Sequence, residues 1–153
     1  MKPFPRKRRP ADPKKIVRFG YNRISFDYRD DRGKGPHAKK MGSWLSWIEK
    51  GLPKKSPVLE LGCGMGLPVA KRLAGRFRYL GADLSDLQIK RAKKTALSGK
   101  FVRADMTHLK FPSGSFRAVL AFYSIIHLPL REHRPLLGRI FRWLEPGGFL
   151  RRP

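Results

Sequence analysis

Val58-Leu59-Glu60-Leu61-Gly62-Cys63-Gly64-Met65-Gly66 sets a short apolar run directly against a glycine turn. The run has the length and composition of a buried strand. The G-x-G-x-G behind it suits a backbone that turns with positive φ and lets another group come close without meeting a Cβ. A helix is expected next, over Leu67–Ala74, with Pro68 near its first position and Gly75 just past its end. The first N–H groups of such a helix have no intrahelical partners. Strand, glycine turn and helix together open a βαβ unit.

Downstream the alternation continues. Phe77–Ala82 reads as a second strand, and Ser85 with Gln88 makes an S-x-x-Q capping box for the helix after it. Ile89, Ala92 and Ala96 give that helix an inner face, while Lys90, Lys93 and Lys94 share an outer one. Lys100–Ala104 and Ala118–Phe122 are the third and fourth strands. A helix is expected over Glu132–Leu144, with Leu136, Leu137, Ile140, Phe141 and Leu144 on one face and Pro135 in its first turn, where a missing N–H is tolerated. Glu145-Pro146-Gly147-Gly148 is a turn, and Phe149-Leu150 begins a fifth strand. Strands alternating with helices predict an α/β fold, a Rossmann-like parallel sheet with helices on both faces. In such sheets ligands bind at the carboxyl ends of the strands.

Upstream of the quoted stretch the signals weaken. Met41, Trp44, Leu45, Trp47 and Ile48 form a helical apolar face within residues 38–50, ended by Gly51 and Pro53. Residues 16–35 carry Ile16, Val17, Phe19, Tyr21, Phe26 and Tyr28 among charges without a clear period, which suggests a short helix or an irregular lid. Residues 1–15, MKPFPRKRRPADPKK, hold almost no core material and read as a basic disordered arm. The expected organisation is therefore an arm (1–15), a helical or lid segment (16–56) and a ligand-binding core (57–153).

Composition narrows the function classes. Thirty-five Lys and Arg against 11 Asp and Glu give the 153-residue chain a formal charge of +24. Such a balance points to polyanions, with charge spread over solvated faces as the alternative. The single cysteine, Cys63, excludes an intramolecular disulfide. His37, His108, His127 and His133 are scattered without metal-ligand spacing, so no metal site is expected. No apolar run approaches the ~18 residues of a membrane span. The N-terminus lacks the apolar core of a secretory signal. A reducing, cytoplasmic setting is the expectation that follows.

Two acids stand where strands end. Asp83, in Leu80-Gly81-Ala82-Asp83-Leu84-Ser85, lies about 20 residues beyond the glycine turn, where a carboxylate can accept hydrogen bonds from ribose hydroxyls. Its plainer role would be a carboxylate at a helix start. Arg103-Ala104-Asp105-Met106 follows the third strand; Asp105 can accept from an adenine amino group and Met106 can cover the ring. A nicotinamide dinucleotide would call for G-x-G-x-x-G/A, with Gly or Ala at 67, where this chain has Leu67.

Together VLELGCGMG (58–66), YLGADLS (79–85), RADM (103–106), FPSGSFRAVLAFYSIIHL (111–128) and LEPGGFL (144–150) resemble the class I S-adenosylmethionine (SAM)-dependent methyltransferases, notably the broad type 11 methyltransferase-domain family. The resemblance implies SAM as cofactor. It implies that Glu60, Gly62, Cys63, Gly64 and Gly66 shape the methionine side, that Asp83 and Leu84 lie at the ribose, and that Asp105 and Met106 lie at the adenine. Ala121, Phe122 and Tyr123 would lie against the cofactor beneath the transferable methyl. Tyr21 and Tyr28 resemble aromatic positions of the family's N-terminal lid. His127 is the candidate base or acceptor-pocket residue, with a core or capping role as its alternative; Cys63 is a small residue that fits the turn, not a nucleophile. Two positions depart from the pattern: Arg117 stands where the family has an acid, and Asn22 where many relatives do. The chain stops at Pro153, where the full fold would add more helix and two last strands, so an incomplete sheet is implied.

The expected function is methyl transfer to an unidentified acceptor, with a small molecule as the expected class. The alternatives are a basic RNA- or DNA-binding or RNA-methylating protein whose arm (Arg6, Lys7, Arg8, Arg9, Lys14, Lys15) grips phosphates, and a truncated, inactive SAM-binding domain. An amino-methylase of the N-P-P-Y kind does not fit Ala121-Phe122-Tyr123-Ser124.

Overall fold

A computed structural model describes residues 12–25 and 36–152. The order of elements is α1 (Pro13–Ile24), α2 (Pro36–Gly51), β1 (Pro57–Leu61), α3 (Val69–Leu73), β2 (Arg78–Asp83), α4 (Asp86–Thr95), β3 (Lys100–Arg103), β4 (Phe116–Leu120), a 3-10 turn (Ile125–His127), α5 (Leu130–Trp143) and β5 (Leu144–Arg151). The five strands form one sheet in the order β3-β2-β1-β4-β5. Every pairing is parallel, with Val58 opposite both Tyr79 and Ala118. The order reverses between β1 and β4, the switch point at which open α/β sheets place their ligands.

β1 is the central strand, and its alternation builds two cores. Val58 points to the layer formed by Met41, Leu45 and Ile48 of α2 and Val69 and Leu73 of α3. Leu59 and Leu61 point to the opposite layer, formed with Leu136, Ile140 and Trp143 of α5. A strand buried on both faces reads as a continuous apolar run rather than as an alternation. Val58, Leu59 and Leu61 have no exposed surface, and each stabilises the fold by about 1.5–3 kcal/mol through burial.

Some boundaries differ from the sequence expectation. α1 begins at Pro13, inside the segment read as a disordered arm: Asp12 caps it by accepting from the Lys14 N–H at 3.0 Å, and Pro13 takes the first turn, where its missing N–H costs nothing. β4 begins and ends two residues early, at Phe116 and Leu120. α5 starts at Leu130, so Pro135 falls inside the helix rather than in its first turn. Pro135 is on the exposed face, where water can satisfy the carbonyl it leaves unpaired. β5 already begins at Leu144, and the register shifts around Glu145–Gly148 before Phe149 pairs with Ala118. Ser85 caps α4 by accepting from Gln88 N–H at 3.0 Å, but the Gln88 side chain does not return the contact; its Oε1 accepts from the Ser25 hydroxyl at 3.0 Å. Residues 1–11, with most of the basic arm, and Tyr28 lie outside the described residues.

Candidate functional site

The C-terminal ends of β1, β2, β3 and β4 converge on a cleft of about 1020 Å³, counting the space at its open mouth. Its floor is the glycine turn. Gly62, Gly64 and Gly66 have φ of 75°, 54° and 83°, in the left-handed region. A Cβ on Gly62 would stand 2.3 Å from that of Ser124, which is held there by donating its hydroxyl proton to the Leu61 carbonyl at 2.6 Å. A Cβ on Gly64 would meet no atom within 4 Å, because Gly64 faces the open cleft.

Asp83 closes this turn from β2. Its Oδ2 accepts from Gly64 N–H and its Oδ1 from Ser85 N–H, both at 2.9 Å. No basic side chain pairs with it among the described residues. Burial raises its pKa above the usual carboxylate value, and the backbone donors of Ser85, Gly64 and Leu84 only partly offset this. Glu60 is buried on the same face of the sheet and accepts the Tyr79 hydroxyl. Burial, and then the Glu60 and Asp83 carboxylates, push the Cys63 thiol well up, so a thiolate nucleophile is disfavoured.

The far wall comes from α1. Lys14, Val17 and Tyr21 share one helical face and all line the cleft. Lys14 Nζ bridges Asp105 Oδ2 at 2.7 Å and Glu132 Oε2 at 2.6 Å and donates to the Thr107 hydroxyl at 2.7 Å. Burial alone would raise the Asp105 carboxyl. Lys14 and the hydroxyl and backbone donors of Thr107 outweigh it and hold the group below its ordinary value. Tyr21 Oη and His127 Nε2 lie 2.9 Å apart, with the direction of the hydrogen bond set by the imidazole tautomer. Asn22 Oδ1 accepts the Ser85 hydroxyl at 2.5 Å, and Asn22 Nδ2 donates to Asp86 Oδ1 at 3.2 Å. Among the described residues no group of acids, cysteines and histidines could hold a metal ion.

Of the residues expected from sequence, Tyr21, Glu60, Gly62, Cys63, Gly64, Asp83, Leu84, Asp105, Met106, Phe122, Tyr123 and His127 all line the cleft. Two expected there do not. Gly66 packs against Ala70 and Ala92, where the turn meets α3 and α4. Ala121 is buried in the α5 layer, because Phe122 and not Ala121 points to the α2 side of β4. Tyr123 follows with φ 57°, a left-handed residue at the mouth of the site. Sequence reasoning missed Lys14, Met41, Gln88 and Ser124 as lining residues. Gln88 had been assigned wholly to the cap. Lys14 sat in a basic run that looked coreless. Arg117 is remote from the cleft: its guanidinium donates to the Pro146 carbonyl at 3.0 Å, which explains how a base is accommodated where the family has an acid.

Comparison with known proteins places this geometry in a family. The profile described as "Methyltransferase domain" matches residues 58–148. Sterol 24-C-methyltransferase erg-4 of Neurospora crassa is 40% identical over 107 residues, 64% of this chain and 27% of that protein. The putative methyltransferase YqeM of Bacillus subtilis is 31% identical over 113 residues, 70% of this chain and 45% of that protein. The chain thus spans between about a quarter and a half of the length of these relatives. Among solved structures, magnesium protoporphyrin IX methyltransferase of Synechocystis PCC 6803 with bound SAM aligns with TM-score 0.71 at 22% identity, over 88% of this chain and 73% of that one. The [4+2]-cyclase SpnF aligns equally well, with TM-score 0.71 at 21% identity over 92% of this chain and 60% of that one, so the fold alone does not name a reaction. The sequence match over the glycine turn and the strand-end acids does name the family: this chain belongs to the methyltransferase-domain family, on its class I Rossmann-like fold.

Proposed function

We propose that the chain is a SAM-dependent methyltransferase acting on a small, largely apolar acceptor. The observation that carries this reading is Asp83: a carboxylate in no ion pair among the described residues, held by two backbone N–H groups at the switch point and facing a glycine whose missing Cβ leaves room for a ligand. Such a carboxylate suits the ribose diol of SAM, whose hydroxyls would relieve its burial by donating to it. Gly62, Gly64 and Glu60 would flank the methionine portion, and Met106 with Leu84 would cover the adenosine. When bound, SAM supplies an electrophilic sulfonium methyl.

The chain's own work is then positioning and exclusion of water. A nucleophile aligned with the methyl needs few catalytic groups, because orientation supplies much of the acceleration. Phe122, Tyr123 and Ser124 hold the end of β4 against the cleft, and the Tyr21–His127 pair stands where an acceptor would enter. His127 would orient the acceptor or take a proton from it. Val17, Met41, Leu67, Val69 and Leu128 make the remaining lining apolar. That lining favours the kind of acceptor named for relatives such as the sterol methyltransferases and the 2-methyl-6-phytyl-1,4-hydroquinone methyltransferase of Synechocystis.

In this reading residues 57–153 are the cofactor-binding core and residues 16–56 its covering segment. The lone buried cysteine is consistent with a reducing, cytoplasmic setting. No helix among the described residues is long and apolar enough to cross a membrane. The test is transfer of labelled methyl from SAM to a panel of sterols and quinols. Product with any of them, lost in His127→Ala while SAM binding persists, is the expected result. SAM binding without transfer to any apolar acceptor would reject the acceptor class.

A further inference from the structure

Among the described residues the strand-end acids and a row of exposed cations lie at opposite ends of the sheet. Glu60, Asp83, Asp86 and Asp105 all lie at or just beyond the carboxyl ends of β1, β2 and β3, around the cleft. The opposite edge of the sheet, where these same strands begin, is cationic. Lys54 and Lys55 precede β1, Arg78 opens β2, Lys100 opens β3, and Lys93 and Lys94 occupy the last turn of α4, which leads back to β3. All six are exposed. The strand starts are neighbours: Lys55 N–H donates to the Arg76 carbonyl at 2.8 Å, Arg78 is in register with Pro57, and Lys100 is in register with Leu80. Adjacent strands stand about 4.8 Å apart. The row therefore presents several cations side by side, a spacing that an extended polyanion can engage at several points.

None of these six side chains forms an ion pair among the described residues. Among the described residues two carboxylates lie at this end, and neither masks the row. Glu49 is taken by Arg72 at 2.5 Å, and Glu145 opens β5, at the far side of the sheet from β3. The chemistry of the edge also distinguishes between polyanions. Attachment to a lipid surface combines basic residues with apolar ones that insert. Here seven of the ten exposed large apolar side chains among the described residues belong to α1, the 3-10 turn and α5, and only Leu97, Val102 and Trp47 lie on or beside the elements that carry the row.

We propose that the amino-terminal edge of β1, β2 and β3 is a phosphate-backbone binding surface for nucleic acid, which leaves the cleft at the other end of the sheet open. This surface is independent of the methyl-transfer reading and stands or falls without it. Phosphate contacts supply affinity without sequence preference and weaken steeply with salt.

The experiment measures binding of the full chain to a fluorescein-labelled RNA duplex by anisotropy across a salt series. It compares the parent, the loop variant Lys54→Gln/Lys55→Gln, the wider variant that adds Arg78→Gln and Lys100→Gln, and a control in α5 that removes the same four charges, Arg131→Gln/Arg134→Gln/Arg139→Gln/Arg142→Gln. Thermal unfolding checks that each is folded, and the loop variant leaves every strand untouched. The expected result is a graded loss of about tenfold or more in the wider variant, a salt slope reduced by about one per lost phosphate contact, and a control within about twofold of the parent. Equal losses in the wider variant and the control would assign binding to overall charge and overturn the proposal. So would parent binding to phosphatidylserine vesicles but not to RNA.

Discussion

Gly62 and Asp83 show how little tolerance the site has at single residues. At Gly62 the backbone lies in the left-handed region and a Cβ would overlap that of Ser124. Gly62→Ala is expected to destabilise the fold by about 3 kcal/mol, combining backbone strain with displacement of Ser124, as measured by urea unfolding. At Asp83 the expected effect is on binding. Burial raises its pKa above 3.8, so protonation is more favourable in the fold than in the unfolded chain. Its contribution to stability is present below that ordinary value and is lost as pH rises through the raised one. SAM binding has the opposite sign, because the ribose hydroxyls need an accepting carboxylate. Affinity is expected to fall as pH drops through the raised pKa, and Asp83→Asn should flatten that dependence. Calorimetry over the acidic range reads both effects; an unchanged pH profile in Asp83→Asn would remove Asp83 from the ribose.

α1 is the element whose behaviour departs most from the rest. None of its residues between Pro13 and Ile24 is fully buried. Its attachment is polar: Lys14 to Asp105 and Glu132, Arg18 to Asp86 at 3.1 Å, Asn22 to Ser85 and Tyr21 to His127. A helix held by such contacts opens locally more easily than one buried in the core. Its backbone amides are expected to exchange with solvent well before those of β1 and to gain protection when SAM fills the cleft. Amide hydrogen exchange with and without SAM measures this. The Lys14 latch has its own signature. Asp105 is held below 3.8, so its share of stability is present above that value and fades as pH falls through the lowered one. Lys14→Met is expected to cost about 1–2 kcal/mol at neutral pH and much less in strong acid, as judged by denaturant midpoints at the two conditions.

Across the whole molecule, the parts legible in the sequence are those where local chemistry and tertiary role coincide. β1 is doubly buried, and its apolar Val58, Leu59 and Leu61, interrupted only by Glu60, made the strand legible. Ser85 announced α4 because its cap is a local contact. The strand-end acids were legible because a parallel sheet brings successive carboxyl ends to one place. What escaped depends on long-range contacts. Lys14 acquires its place from partners 91 and 118 positions away, at Asp105 and Glu132. Gly66 and Ala121 carry the family's spacing but point into packing rather than into the cleft. The row of exposed cations without ion pairs at the strand starts, opposite the strand-end acids, is equally invisible in a net charge.

Calorimetric titration of the purified chain with SAM is the most direct measurement of cofactor binding, with Asp83→Ala run beside it. Saturable binding by the parent, weakened by about tenfold or more in a variant that remains folded, is the predicted result. No binding by a demonstrably folded parent, or equal binding by both chains, would contradict it.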